Sequence, residues 1–142
     1  MLSREQTAHV IMIMGRILLA VMFIESCVDK FLHWDFYVQE TAAKHIPFPS
    51  IALALAAITE FAGSISLLTG MGIFYAAFAL AGYIFVVNFF YFDFWNQIDT
   101  PAIMARKEFL KNLAVIGGLM FAAISNRFSA QGPVAVKQVS GH

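Results

Sequence analysis

Four long runs of apolar residues, separated by short polar segments, dominate the pattern along the chain. Each run is close to the twenty or so residues that an α-helix needs to cross the hydrocarbon core of a bilayer. We therefore predict four membrane-spanning helices, at residues 10–32, 51–69, 71–92 and 109–124. The segments 33–50 and 93–108 are predicted to be loops.

The turn between the second and third runs fixes part of the topology. Only Gly70 separates these runs, so their helices must be antiparallel neighbours. Pro47 and Pro49 mark the break before the second run. The simplest fold is an all-α, integral membrane, up-down four-helix bundle over residues 1–126. Residues 127–142 are predicted to be a polar tail, because their apolar periodicity is too weak for another helix.

Composition supports a membrane protein. Of the 142 residues, 60% are hydrophobic and 13% are charged, against about 45–50% and 25% in soluble domains. The formal net charge is zero, so nothing indicates a nucleic-acid partner. The single cysteine, Cys27, excludes an internal disulfide and any metal site built on paired cysteines. We expect contact with the lipid bilayer and no metal centre.

Glu60 lies in the middle of the second apolar run. The residues that share its helical face are small: Ala52, Ala56, Gly63 and Ser64. Small residues allow helices to approach closely, so this face is predicted to point into the bundle. We expect the Glu60 carboxylate to have a basic or hydrogen-bonding partner from the first or fourth span.

Charged and polar residues near the other spans extend this idea. Lys111, with Asn112 beside it, shares a helical face with small residues of the fourth span. In the first span, Glu25 and Asp29 lie one turn apart on one side of the helix.

The opposite side of the first span carries Arg16 and Lys30. Arg16 is shallow enough for its guanidinium to reach the near membrane surface. A buried pairing of Arg16 is an equal alternative.

These residues form one predicted polar network within the membrane: Glu60, Lys111, Asn112, Glu25, Asp29, Lys30 and Arg16. Ionisable groups inside a membrane are functional candidates, here as a polar pocket or a proton path. Acids and bases are mixed, however, and a network that neutralises itself can simply fix helix register. Four aromatic residues beside it are candidates for a quinone site or for an ordinary interfacial belt: Trp34, Phe89, Phe92 and Trp95.

Four stretches resemble, in order and spacing, the DoxX family of small four-helix membrane proteins: GRILLAVMFIESCVDKF, ITEFAGSISLLTG, FFYFDFWNQ and EFLKNLAVIGGLMF. The resemblance implies a protein of the bacterial cytoplasmic (inner) membrane with both termini in the cytoplasm. The name-giving members resemble subunits of a thiosulfate:quinone oxidoreductase. The family commonly has His-Asp-Phe-Trp where this chain has Phe92-Asp93-Phe94-Trp95. We therefore expect no chemistry here that depends on that imidazole.

Together, the residues and the resemblance predict a subunit of a quinone-linked membrane redox complex. Such a subunit would anchor a partner protein and contribute a quinone or proton site, with no covalently bound cofactor and without catalysing a reaction alone. Two alternatives remain open at this point. The chain could be a non-catalytic accessory subunit packed on a larger membrane complex, or a small transporter, which would require a homo-oligomer to widen its pathway.

Overall fold

The computed structural model describes Met1 and residues 3–130. Within these residues the chain forms five α-helices and a 3₁₀ turn at Phe94–Asn96. The helices are α1 (Arg4–Leu32), α2 (Trp34–Ala43), α3 (Pro49–Thr69), α4 (Ile73–Tyr91) and α5 (Asp99–Ala130). The segment predicted to be a polar tail lies, from residue 131 onward, outside the described residues.

Local sequence signals mark several helix ends. At the start of α1, the Ser3 side chain accepts a hydrogen bond from the backbone N–H of Gln6, and the Gln6 side chain accepts one from the backbone N–H of Ser3. This reciprocal pair satisfies two amide groups that a helix start leaves unpaired. Pro49 opens the first turn of α3, where a missing N–H costs nothing. Gly70 ends α3 with φ of 84°, a left-handed conformation that glycine adopts without strain.

The four-span prediction is confirmed. The long helices α1, α3, α4 and α5 are each long and apolar enough to cross a membrane. Many large apolar side chains point outward from the bundle, including Leu18, Phe61 and Phe121, which are 68%, 58% and 73% exposed. A soluble protein seldom exposes apolar surface on this scale. These side chains are the lipid-facing surface of an integral membrane protein.

Two connecting segments differ from the predicted loops. Residues 34–43 form the helix α2 inside the predicted 33–50 loop. The last helix begins at Asp99 rather than at residue 109 and runs to Ala130. Hydropathy marks only the part of a helix within the hydrocarbon core, whereas backbone hydrogen bonding continues through the polar stretch 106–108 beyond it. The predicted 93–108 loop is therefore mostly helix.

The spanning helices form an up-down bundle in which α1 packs on α3, α3 on α4 and α4 on α5, and α1 also contacts α5. At one end lies the turn between α3 and α4, where the Arg16 guanidinium approaches Gly70 and Arg127 lies over the Phe74 ring. We call this the turn end. The opposite, loop end carries α2 and the 3₁₀ turn. The apolar core includes Phe23, Leu67, Ile73, Leu80 and Leu119.

Candidate functional site

A buried carboxylate lies near the middle of α3. Glu60 is 2% exposed, and three side chains donate hydrogen bonds to it. Its Oε1 accepts from Lys30 Nζ at 2.9 Å, Ser26 Oγ at 3.0 Å and the Tyr83 hydroxyl at 3.0 Å. Its Oε2 accepts from Lys30 Nζ at 3.1 Å. The predicted burial of Glu60 is confirmed, and of the two spans predicted to supply its partner, the first does so through Lys30 and Ser26.

The hairpin of α3 and α4 brings Tyr83 to Glu60. Glu60 lies ten residues before Gly70 and Tyr83 thirteen residues after it, so the two are nearly level in an antiparallel pair. Close packing of the helices shortens the gap: a Cβ atom added at Gly63 would lie 2.7 Å from Leu80 Cγ. The small residue at position 63 therefore allows a tyrosine hydroxyl to reach the carboxylate of the neighbouring helix.

Lys30 reaches Glu60 from near the end of α1. Its side chain runs back along the helix, and Nζ lies 2.7 Å from Ser26 Oγ and 3.4 Å from the Ser26 carbonyl. On the loop-end side, the Tyr37 ring of α2 covers Nζ, with its centroid 5.8 Å away. The Tyr37 hydroxyl donates to Asp29, which also hydrogen-bonds His33 Nδ1 at 2.9 Å. The bond to Asp29 is the main cause that raises the pKa of Tyr37 to about 12.

A cavity of about 610 Å³ lies beside this carboxylate, in the loop-end half of the bundle. All four spanning helices and α2 contribute to its wall. Glu60, Lys30, Ser26 and Tyr83 supply a polar region. Most of the remaining wall is apolar and includes Met22, Leu53, Ala56, Ile84, Val87 and Phe92. The volume falls within the range of small-molecule sites. An apolar wall with a few polar groups is also typical of such sites.

The wall of the cavity includes side chains of the lipid-facing surface. Leu55, Val86 and Phe90 line the cavity, yet 61%, 53% and 47% of their surfaces are exposed on the bundle. In a bilayer these side chains face acyl chains. A ligand could therefore place its polar group near Glu60 while an apolar tail follows this wall into the lipid.

The predicted link between Lys111 and Glu60 is not present among the described residues. Lys111 forms an exposed ion pair with Glu108 on its own helix. Asn112 instead donates to the Asn88 side chain at 2.8 Å. Asn88 is five residues nearer the loop end of α4 than Tyr83, a rise of about 7.5 Å. Lys111 and Asn112 line the same cavity but near its loop end, where they bind Glu108 and Asn88.

The two sides of α1 have different surroundings. Glu25 lines both the cavity and a shallow groove on the outer face of α1. Asp29 lines that groove. Arg16 is 8% exposed, and its Nε donates to the Leu67 carbonyl at 2.8 Å. Of the two alternatives for Arg16, the structure has the buried one: its cation binds a carbonyl in the last turn of α3, where positive charge is favourable.

The four aromatic candidates lie in different places. Phe92 lines the cavity, whereas the other three are absent from its lining. Phe89 and Trp95 pack against each other and against Phe109, with ring centroids 5.8–6.1 Å apart. Trp34 stacks on the ring of Phe31. The cavity is lined by Tyr37 and Thr41 of α2 rather than by Trp34 or Trp95.

Two residues at the site escaped the sequence analysis. Tyr83 lies in an apolar run with no polar neighbour, but counting outward from the Gly70 turn would have placed it level with Glu60. Ser26 lies one helical turn before Lys30, a spacing that puts both side chains on one face of a helix. Neither residue is charged, so each could be identified only by its position relative to the Gly70 turn or to Lys30.

The arrangement can accept a hydrogen bond or a proton in a water-poor environment. Glu60 is the acceptor, and Lys30 balances its charge. In the part of the chain that the structure describes, no three His, Cys, Asp or Glu side chains are grouped in a way that could hold a metal ion.

Comparison with protein families gives a match over more than half of the chain. The profile of the DoxX family matches residues 11–92. This range includes α1 from its third turn onward, α2, α3 and α4, and therefore Ser26, Lys30, Glu60 and Tyr83. No curated protein and no solved structure matches the chain.

Proposed function

Because this chain belongs to the DoxX family, we propose that it is an integral membrane subunit of a quinone-linked redox complex. In this proposal the cavity binds the headgroup of a quinone or quinol beside Glu60, and the bundle anchors a partner subunit. One observation carries the proposal: a buried, charge-balanced carboxylate lines an apolar cavity whose wall reaches the lipid-facing surface.

The chemistry of quinones fits these features. A quinone is a lipid-phase molecule with a flat, mostly apolar ring and two polar oxygens. Its site needs an apolar slot and a polar group near one of those oxygens. Leu55 and Val86 give the slot a border with the acyl chains, so the isoprenoid tail need not leave the bilayer.

The role of this chain is to bind and orient rather than to transfer electrons alone. Oxidation of a quinol releases two electrons and two protons, and the electrons require a redox carrier. We propose that the partner subunit supplies that carrier. The contribution of this chain is then the pocket, the hydrogen bond to Glu60 and the membrane anchor.

A cavity-filling variant tests the proposal. Ala56 lines the cavity, so Ala56→Phe should block the headgroup; Ala79 is exposed on α4, and Ala79→Phe is the matched control. Each protein is purified in mild detergent, and its total quinone and quinol are extracted and quantified. We expect about one molecule per chain in the wild type and the control, and a loss of most of it in Ala56→Phe. Equal amounts in all three proteins would contradict the proposal.

A second role rests on a different observation. The donors that bind Glu60 come from α1 and α4, so the same contacts also tie three helices together. An accessory subunit that only stabilises a larger complex would need no more than that. In this case Ala56→Phe would assemble with its native partners and leave quinol-linked turnover of the complex unchanged.

We further propose that the protein lies in the bacterial inner membrane with both termini in the cytoplasm. With four spans, Ser3 and Gln39 lie on opposite sides of the bilayer. Single cysteines are introduced at these positions in a Cys27→Ala chain and labelled with an impermeant maleimide in intact spheroplasts. We expect labelling at position 39 alone. Labelling at position 3 alone would reverse the orientation.

A further inference from the structure

The two oxygens of the Glu60 carboxylate are unequally used. Oε1 accepts three hydrogen bonds, from Lys30, Ser26 and Tyr83. Among the described residues, Oε2 accepts one, from Lys30. An ionised carboxylate offers about four lone-pair sites across its two oxygens. Capacity to accept a further hydrogen bond therefore remains on Oε2.

The donors around Glu60 are, by contrast, already used. Lys30 Nζ has three N–H groups, and four oxygens of Glu60 and Ser26 lie within hydrogen-bond distance of it. The hydroxyls of Ser26 and Tyr83 each donate their single proton to Oε1.

The hydroxyls of α2 at the cavity wall are used as well. The Tyr37 hydroxyl donates to Asp29. Thr41 donates to the Tyr37 carbonyl, so the Tyr91 hydroxyl must donate to Thr41. Beside Glu60 the cavity therefore offers an acceptor, while the nearby donors are committed within the protein.

We propose that the site selects the reduced form of its ligand. A quinol carries hydroxyl groups that can donate to Glu60 Oε2, whereas a quinone has only carbonyl acceptors. A carbonyl placed against the carboxylate would gain no hydrogen bond and would meet a negative charge. The inference rests on the proposed function, and it identifies the ligand class as a hydroquinone with a hydroxyl group directed at Glu60. The site would then serve a reaction that consumes or releases quinol.

A pair of redox-inert ligands isolates this hydrogen bond. A long-chain 4-alkylphenol and its methyl ether have nearly the same apolar surface, but only the phenol can donate. Binding of each is measured by calorimetry in detergent micelles, with protein-free micelles correcting for partition. We expect the wild type to bind the phenol roughly ten- to a hundredfold more tightly, as for a hydrogen bond to a charged acceptor. In the matching redox pair, a short-chain quinol should bind more tightly than its quinone.

Glu60→Gln removes the negative charge of the acceptor and adds a donor, because the amide oxygen still accepts but is neutral and the amide N–H can donate to a carbonyl. In this variant the preference for phenol over ether should fall by about tenfold or more, and the quinone should gain relative to the quinol. Glu5→Gln is the control: Glu5 is exposed in the first turn of α1, at the other end of the bundle, and should leave every preference unchanged.

These binding measurements distinguish a failure of the redox selectivity from a failure of the proposed function. If the quinone binds as tightly as the quinol, or the ether as tightly as the phenol, the redox selectivity is wrong while the proposed cavity site stands. If neither member of either pair binds above the protein-free level, the proposed function falls, and the selectivity with it. A preference for phenol that is undiminished in Glu60→Gln would also contradict the inference, because the negative charge of the Glu60 carboxylate would then contribute nothing to it.

Discussion

Lys30 Nζ lies 2.9 Å from Glu60 Oε1, although Lys30 is two residues from the end of α1 and Glu60 is near the middle of α3. The lysine spans this offset by turning toward the N-terminus of its own helix, the direction in which helical side chains point. The pair is nearly enclosed, with side chains 11% and 3% exposed. It balances charge inside the membrane and ties α1 to α3.

Loss of Lys30 should therefore be costly for stability. Lys30→Met leaves the Glu60 charge buried without its partner, which destabilises proteins by about 3–5 kcal/mol. Adding Glu60→Gln to Lys30→Met should restore part of the lost stability, since a neutral amide costs less to bury than an unpaired carboxylate. The measurement is the free energy of unfolding in detergent micelles for both single variants and the double variant.

Lys111→Met is the control for that series. The pair of Lys111 with Glu108 is exposed at 58% and 43%, and exposed pairs contribute about 0–1 kcal/mol. A loss for Lys30→Met no larger than for Lys111→Met would mean that the buried pair does not stabilise the bundle.

The close approach of α3 and α4 makes a second prediction. A Cβ atom at position 63 would lie 2.7 Å from Leu80 Cγ, and Leu80 is fully buried. Gly63→Ala should destabilise the protein by about 1–3 kcal/mol through overpacking, and it should weaken the Tyr83 bond to Glu60. Gly82→Ala is the matched control, because its Cβ meets nothing within 4 Å. Unfolding in micelles should show the loss for Gly63→Ala alone, and equal stability of the two variants would argue against this packing.

Tyr37 gives a prediction for alkaline pH. Its pKa rises from 10.0 to about 12, mainly through the hydrogen bond to Asp29. A raised pKa in the folded state means that the stabilisation is complete below about pH 10 and disappears as the pH rises through about 12. The wild type should therefore unfold at a higher temperature than Tyr37→Phe below pH 10, and the difference should shrink above it. A constant difference across this interval would show that the hydroxyl bond does not contribute.

Much of the fold was predictable from the sequence because a bilayer imposes a simple length requirement on apolar runs. The burial of Glu60 was predictable as well, since small residues occupy its helical face. Helix α2 was missed because its ten residues fall short of a span and its apolar pattern is weak. The early start of α5 was missed because the charged residues 106–108 interrupt its apolar pattern.

The sequence predicted that Glu60 has a basic or hydrogen-bonding partner but not which residue supplies it. Lys30 and Lys111 were both candidates, and helical periodicity alone gives the direction of a side chain but not its depth relative to another helix. Depth depends on how the helices are offset in the bundle. In the structure, Lys30 turns back to the level of Glu60, whereas Lys111 remains near the loop end. The hairpin at Gly70 sets the offset of α3 and α4. The depth of Tyr83 relative to Glu60 could therefore have been predicted from the sequence, unlike the depths of Lys30 and Lys111.

The central claim, that the cavity beside Glu60 holds the headgroup of a quinone or quinol, is tested most directly by photolabelling. The protein in native membranes is illuminated with an azido-substituted quinol, and the labelled residues are identified by mass spectrometry with and without excess unlabelled quinol. We expect labels on cavity residues such as Met22, Ala56 and Val87, and their loss when quinol competes. Labels confined to lipid-facing residues such as Leu18 and Phe121, unaffected by quinol, would contradict it.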